Sequence, residues 1–357
     1  MSEAGGYSSD ENDWVAAMRG QDFARAWAIA DRDLSELRAS GPPKHEGPRH
    51  LQKIWRGEDL ADRVVLVRCY HGLGDTIQFA RFLPALARIA REVIVWCQPP
   101  LCGLIARIPG IARVLPLHDG APDVSFDVDI EIMELAHALR ADRHDVSMRA
   151  AYLAPAGPPL ALPARDAVSV GLVWRVGNWD KRRELPASLV RTLVIPGVAA
   201  FSLQPELPAA EVTDIGARDA SSPDIEVLAN TLRALDLVIT VDTMVAHLAG
   251  ALGCEAWIML HADCDWRWPA WGCRTYWYPQ ARLFHQQSPG DWSGVVAEVV
   301  QALRGRVAAI SSGQTIRAES LRTAAGERAA PAPAIGAASD SPDESRPAAS
   351  VHPNPSP

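Results

Sequence analysis

The sequence has no surplus of positive charge, no long uncharged apolar run and no tight metal-ligand spacing. Its 35 Lys and Arg residues are outnumbered by 43 Asp and Glu, giving a net charge of −8. That balance argues against a nucleic-acid partner, because proteins that grip a phosphate backbone present a basic patch. No window reaches about 18 consecutive apolar residues free of charge, so no transmembrane helix is expected. The first dozen residues carry neither a basic stretch nor an apolar one, so no signal peptide is visible and a cytoplasmic location is expected. The six cysteines stand at 69, 97, 102, 254, 264 and 273. A zinc reading gathers His261, Cys264, Cys273 and His285, but none of these pairs has C-x2-C or H-x3-H spacing. No metal is expected. Cys69, Cys97 and Cys254 lie in or beside apolar strand-like runs and read as small core residues.

What is present is enough for two domains with full cores, since the chain has 357 residues and is 48% hydrophobic. Residues 1–10 read as disordered. Between 11 and 40, Trp14, Ala17, Met18, Phe23, Ala26, Trp27 and Ala30 fall at helical spacing around Gly20, which predicts a helical hairpin. Its size matches one tetratricopeptide unit, although a lone unit cannot build a solenoid; a helical cap on the next domain is the plainer reading. Gly41 to His50 is a Pro/Gly-rich linker. From 51 to 155, strands at Val64–Cys69, Val93–Cys97, Val114–Leu117 and Val128–Ile132 alternate with helices at Asp75–Ala90 and Leu101–Ile108. That alternation predicts an α/β domain with a doubly wound parallel sheet. After a linker, Ala154 to Arg165, a second such domain spans 165–304. Its strands are expected at Val168–Trp174, Val198–Leu203, Val212–Ile215, Leu237–Val241 and Ala256–Leu260. Its helices are expected near Pro186–Leu193, at Asp224–Leu235 and at Trp292–Leu303. Residues 305–357 are Ala, Pro, Ser and charge, too poor in large apolar residues to fold.

Two strand-to-helix corners stand out. His71-Gly72-Leu73-Gly74-Asp75-Thr76 follows the first strand, and Asp242-Thr243-Met244 follows the Leu237–Val241 run. Such corners bring backbone amides up to a ligand. Gly72 and Gly74 permit positive φ and close approach, and Asp75 then falls at or near a helix N-cap. Asp75 is either that cap or a general base at the mouth of a cleft. The helix opening at Thr243 offers unpaired amides suited to a diphosphate. Asp242 is its cap or a contact to a sugar hydroxyl. His247, one turn along, is a satisfied, partly buried residue or a hydrogen-bond donor to phosphate or hydroxyl. The segment Arg175 to Glu184 holds Arg175, Lys181, Arg182 and Arg183, cations able to neutralise a leaving diphosphate or simply to line a solvated loop. The aromatic runs at Trp266 to Pro269 and Tyr276 to Pro279 read as core and rim packing, with Arg267 the more interesting member.

HGLGDTIQFARFLPALA (His71 to Ala87) followed by VDTMVAHLAGALG (Val241 to Gly253) resembles the bacterial glycosyltransferases related to ADP-heptose:lipopolysaccharide heptosyltransferases. The nearer likeness is to the branch whose transferase domain follows tetratricopeptide repeats. GLVW (Gly171 to Trp174), FSLQ (Phe201 to Gln204), DWRW (Asp265 to Trp268) and YWYPQARLF (Tyr276 to Phe284) add to it, so that it spans roughly Arg49 to Leu303. The two main motifs are specific together and weak singly. The resemblance implies a GT-B fold, two Rossmann-like domains with a cleft between them, and inverting transfer without a metal. It implies Asp75 as catalytic base, with Gly72, Gly74, Thr76 and Gln78 on the acceptor side. Donor binding then falls to Asp242, Thr243, Met244 and His247, with Lys181 or Arg183 on the phosphate. The substrate is a nucleotide-diphosphate sugar rather than a cofactor, and the acceptor a saccharide, a lipid-linked glycan or a protein. Two departures matter: relatives carry a smaller residue where Met244 stands, and the loop after Gly177-Asn178 is shorter.

The leading expectation is therefore a glycosyltransferase. A binding or scaffold protein that has lost turnover is the alternative from another class, supported by Met244 and the short loop. A nucleotide-sugar epimerase or hydrolase on the same fold is a third.

Overall fold

The computed structural model describes residues 9–41, 52, 54–147, 151–162, 167–177 and 180–311. The expected disordered start lies outside these except for its last residues, and so do most of the 41–50 linker and the tail beyond 311. Two helices come first, α1 (Ser9–Arg19) and α2 (Phe23–Ala39). Asp22 caps α2 by accepting from the Arg25 amide at 3.1 Å.

Next come β1 (Val64–Arg68), α3 (Leu73–Phe79), α4 (Leu83–Leu86), β2 (Glu92–Cys97), α5 (Cys102–Ala106), β3 (Arg113–Pro116) and β4 (Val128–Glu131). The four strands form one parallel sheet in the order β3-β2-β1-β4. Two short helices, α6 (Leu135–Ala138) and α7 (Arg143–Ser147), close this half. The single helix expected over 75–90 is broken instead, with a 3-10 turn at Ala80–Phe82 between α3 and α4. Pro84 stands in the first turn of α4. It has no N–H to donate backwards, so it fits a helix start and not a helix interior.

The second sheet is assembled from β5 (Val168–Val173), α8 (Ala187–Val190), β6 (Val198–Ser202), α9 (Ala209–Asp214), β7 (Arg218–Asp219), α10 (Ile225–Ala234), β8 (Leu237–Val241), α11 (Met244–Ala251), β9 (Ala256–Leu260) and β10 (Ala281–His285). Its order is β10-β9-β8-β5-β6-β7, parallel throughout. The strand expected at 212–215 is helix α9. Pro208 occupies its N-cap and Gly216, at φ +78°, its C-terminal exit. Pro before a helix and glycine after it outweigh the β-branched Val212 and Thr213. The edge strand β10 went unrecognised in the sequence. The final helix α12 (Trp292–Ser311) continues beyond residue 304, so the unfolded tail cannot begin at 305.

Apolar burial does not stop at the boundary between the sheets. One cluster joins Met18 and Trp27 of the hairpin, the Val65/Val67/Val93/Val95 face of the first sheet, α10, α11, and Trp268, Trp277 and Tyr278. A second cluster fills the space between the other sheet, α8 and α12. Polar ties follow the same seam. Arg107 pairs with Glu226, and Arg81 Nη1 donates to the Trp277 carbonyl at 2.9 Å. The segment 154–162 has no helix or strand; the Leu160 amide donates to the Asn230 carbonyl at 3.1 Å, which pins it along α10.

Candidate active site

In a parallel sheet the ligand-binding crevice opens at the carboxyl ends of the strands. Here a cavity of about 820 Å³ does so for both sheets. Its first wall is the corner after β1, from Tyr70 to Asp75. Its second is built from the ends of β5, β6 and β8, with Arg183, Asp242, Thr243, Met244 and His247.

Asp75 lies in the first turn of α3, whose cap is Gly72. Its Oδ2 accepts from the Gly72 amide at 2.9 Å, the reciprocal arm of a capping box. Its Oδ1 accepts from Arg267 Nη2 at 2.6 Å. Arg267 is only 9% exposed. Its Nε donates to Gln78 Oε1 at 2.9 Å and its Nη1 to Asp265 Oδ1 at 2.8 Å. Burial alone would raise the Asp265 carboxyl, but the charge and hydrogen bonds of Arg267 hold it below the usual range. Neither Gly72 nor Gly74 has positive φ. Gly74 serves close approach instead: a Cβ there would stand 2.9 Å from His247 Cδ2 and 3.5 Å from Met244 Cα.

Thr76 and Gln78 are buried and do not line the cavity. Thr76 Oγ1 donates to Gln98 Oε1 at 3.0 Å, and Gln98 Nε2 to the His71 carbonyl at 2.7 Å, so this pair braces the corner from behind.

On the second wall, Thr243 and not Asp242 is the N-cap of α11. The buried Asp242 carboxylate faces Arg183 at 3.5 Å, and Arg183 Nη1 also donates to the Asp242 carbonyl at 3.1 Å. Burial pushes the Asp242 carboxyl up to about 6, against the pull of Arg183. His247 is more buried than its sequence position suggested. Its Nδ1 meets the Tyr278 hydroxyl at 2.9 Å, and its ring stacks on Trp268 at 5.4 Å. Burial drives its imidazole down to about 3, so it stays neutral and cannot act as a cation toward phosphate.

The cations of 175–183 divide. Arg175 and Arg183 line the cavity; Lys181 does not, and its Nζ pairs with Glu184 at 2.7 Å. Arg182 pairs with Asp180 at 2.9 Å, and Arg175 donates to Glu211. Each has a carboxylate partner, so the excess charge is smaller than the segment's composition suggests. Residues 178 and 179 of this loop lie outside the described set.

Asp265, Gln204 and Glu206 are cavity residues that sequence reasoning passed over. Gln204 and Glu206 follow the end of β6, a position the strand-end rule marks in advance. Asp265 opens the DWRW run, a mark of the resemblance that gave it no role in the site. Among the described residues, the one group of ligand atoms close enough to share a metal is the exposed set Asp142, His144 and Asp145. His261, Cys264, Cys273 and His285 form no such group. No described helix is long and apolar enough to cross a membrane.

No protein-family model matches the chain. A curated relative, Protein FlbA of Caulobacter vibrioides, is 25% identical over 294 residues, covering 70% of this chain. The chain spans about half (48%) of that relative's length. Among solved structures, the glycosyl transferase family 9 protein of Veillonella parvula superposes with a TM-score of 0.51 at 10% identity, covering 70% of this chain and 98% of its own. ADP-heptose lps heptosyltransferase II of E. coli gives 0.49 at 13% identity over 68% and 99% of the two chains. The likeness to the family 9 structure, with two parallel sheets, defines a GT-B-like α/β fold.

Proposed function

We propose that the protein is a glycosyltransferase that moves a sugar from a nucleotide-diphosphate donor to an acceptor hydroxyl, heptosyltransferase-like, inverting and without a metal. The observation that carries this reading is the cavity shared by the two sheets. It has a carboxylate on one wall and, on the other, a helix N-terminus beside an arginine. In this reading 51–155 and 165–304 act as acceptor and donor domains. The diphosphate rests on the amides at Thr243 and Met244, favoured by the helix dipole, with Arg183 beside it. Asp75 takes the proton of the acceptor hydroxyl as that oxygen attacks the anomeric carbon. The new glycosidic bond forms opposite the breaking bond, and the nucleoside diphosphate leaves with the electron pair. A carboxylate offers about four acceptor positions, so the contacts to Gly72 and Arg267 leave room for a hydroxyl. The donor sugar is of the heptose or hexose class, and the acceptor a cell-envelope saccharide, a lipid-linked glycan or a protein in the cytoplasm. The motif resemblance and the family 9 fold support this.

Calorimetric titration against ADP-, UDP-, GDP- and dTDP-sugars tests it. Saturable binding of one nucleotide class, lost in Thr243→Trp, is expected. Asp75→Ala should keep that affinity and lose transfer. A second reading, a GT-B-shaped binding protein without turnover, draws on the paired cations and on Met244, which lines the cavity beside Gly74 of α3. Under it, the folded protein binds none of these donors, or binds one and never releases the nucleotide.

A further inference from the structure

Among the described residues, neither α1 nor α2 sends a side chain into the cavity, yet α1 packs directly on the segment that carries Arg267. The Tyr276 hydroxyl donates to the Met18 carbonyl at 3.1 Å, and the Arg19 guanidinium donates to the Cys264 carbonyl. Between these points the Trp14 ring meets Trp266 edge-on, with centroids 4.9 Å apart. The Arg267 guanidinium lies on the other partner of that pair, its Cζ 4.5 Å from the Trp266 ring centre. Arg267 then reaches Gln78 and Asp75.

We propose that Arg267 is the positioning residue for Asp75, and that the N-terminal hairpin holds Arg267 in place through Trp14 and Trp266. A guanidinium is a planar fork on a long flexible stem, and its direction is fixed only by what surrounds it. Asp265 and Gln78 fix two edges of the fork, and the indole face of Trp266 fixes its plane. The third nitrogen, Nη2, donates to Asp75 Oδ1 and also meets Met133 Sδ at 3.9 Å, while Gly72 holds Oδ2. Trp266 also meets the rings of Phe79 and Trp277, at 6.5 and 6.3 Å, but Trp14 is the nearest of the three at 4.9 Å; truncating it loosens Trp266, lets the guanidinium tilt and releases one oxygen of Asp75. The hairpin thereby becomes a working part of the site.

The role as a positioning residue for a base rests on the glycosyltransferase reading; the mechanical coupling does not. Hydrogen–deuterium exchange of the peptide spanning 70–78 in the full chain tests the coupling without substrate. Trp14→Ala and Arg267→Ala should raise exchange there about tenfold as the Gly72–Asp75 corner opens locally. Trp14→Phe should restore most of the protection, and Arg267→Lys, which keeps the charge but lacks the planar fork, should restore only a small part of it. Trp27→Phe, which removes a hairpin bond to the Ala141 carbonyl and touches neither Trp266 nor Arg267, should leave it unchanged. Unaltered exchange in Trp14→Ala and Arg267→Ala, or an equal rise in Trp27→Phe, overturns the proposal. With whichever nucleotide sugar the wild type binds, kcat for nucleotide release should fall about 100-fold in Arg267→Ala at unchanged donor KM. A raised KM at unchanged kcat would make Arg267 a phosphate ligand and overturn the role. If the wild type binds no nucleotide sugar, the glycosyltransferase reading fails and the exchange result still decides the coupling.

Discussion

At the scale of single residues, Asp242 and His247 lie on one cavity wall and titrate against opposite tendencies. The folded chain keeps the Asp242 proton up to about pH 6, whereas an unfolded aspartate releases it near 3.8. The unfolded chain protonates His247 below about 6.5, but the folded chain resists until about 3. Between about pH 6 and 4, acidification therefore stabilises the fold through Asp242 and destabilises it through His247, each by roughly 1 kcal/mol per pH unit. Asp242→Asn should lose about that much per unit relative to wild type as pH falls, and His247→Gln should gain it. Urea melts at several pH values would show this, and wild-type and variant curves that stay parallel would refute it. Arg183 and Lys181 separate as well. Arg183→Ala should weaken nucleotide-diphosphate binding about tenfold, the value of one charge-assisted contact, and Lys181→Ala should leave it unchanged. Titration calorimetry on both variants decides.

At the scale of elements, the meeting of α3 and α11 depends on one missing side chain. Gly74→Ala would press a methyl group onto the His247 ring and should destabilise the protein by about 1–3 kcal/mol. Gly72→Ala meets only Asp75 Oδ2, at 3.2 Å, and should cost far less. Comparing the two urea midpoints is the check. This scale also shows what the sequence makes legible. The runs that became β5, β8 and β9 announce themselves because a buried parallel strand is apolar on both faces. The first corner is legible because glycines and a following helix mark it, the second because a helical pattern follows an apolar strand run. Val212–Ile215 misleads, since its β-branched residues suggest a strand while Pro208 and Gly216 set the outcome. The wiring of the site is not legible at all. Arg267 and Asp75 stand 192 positions apart and Arg175 and Glu211 36 apart, and no local period records either pairing.

At the scale of the whole molecule, the apolar cluster that joins hairpin, first sheet, α10 and α11 should make these parts unfold together. Scanning calorimetry of the full chain should give one transition with equal calorimetric and van't Hoff enthalpies. Two resolved transitions would mean that the halves, or the hairpin, hold their own cores. A large apolar seam also limits how far the two walls can part. Every strand in both sheets is parallel, so all the carboxyl ends of each sheet arrive at one rim and the cores lie behind it. Glu206, exposed on that rim but held at φ +61°, should accept glycine or asparagine without loss of stability and lose stability on replacement by valine, which urea midpoints would check. Exposed side chains on that rim can thus be exchanged while both cores stay as they are.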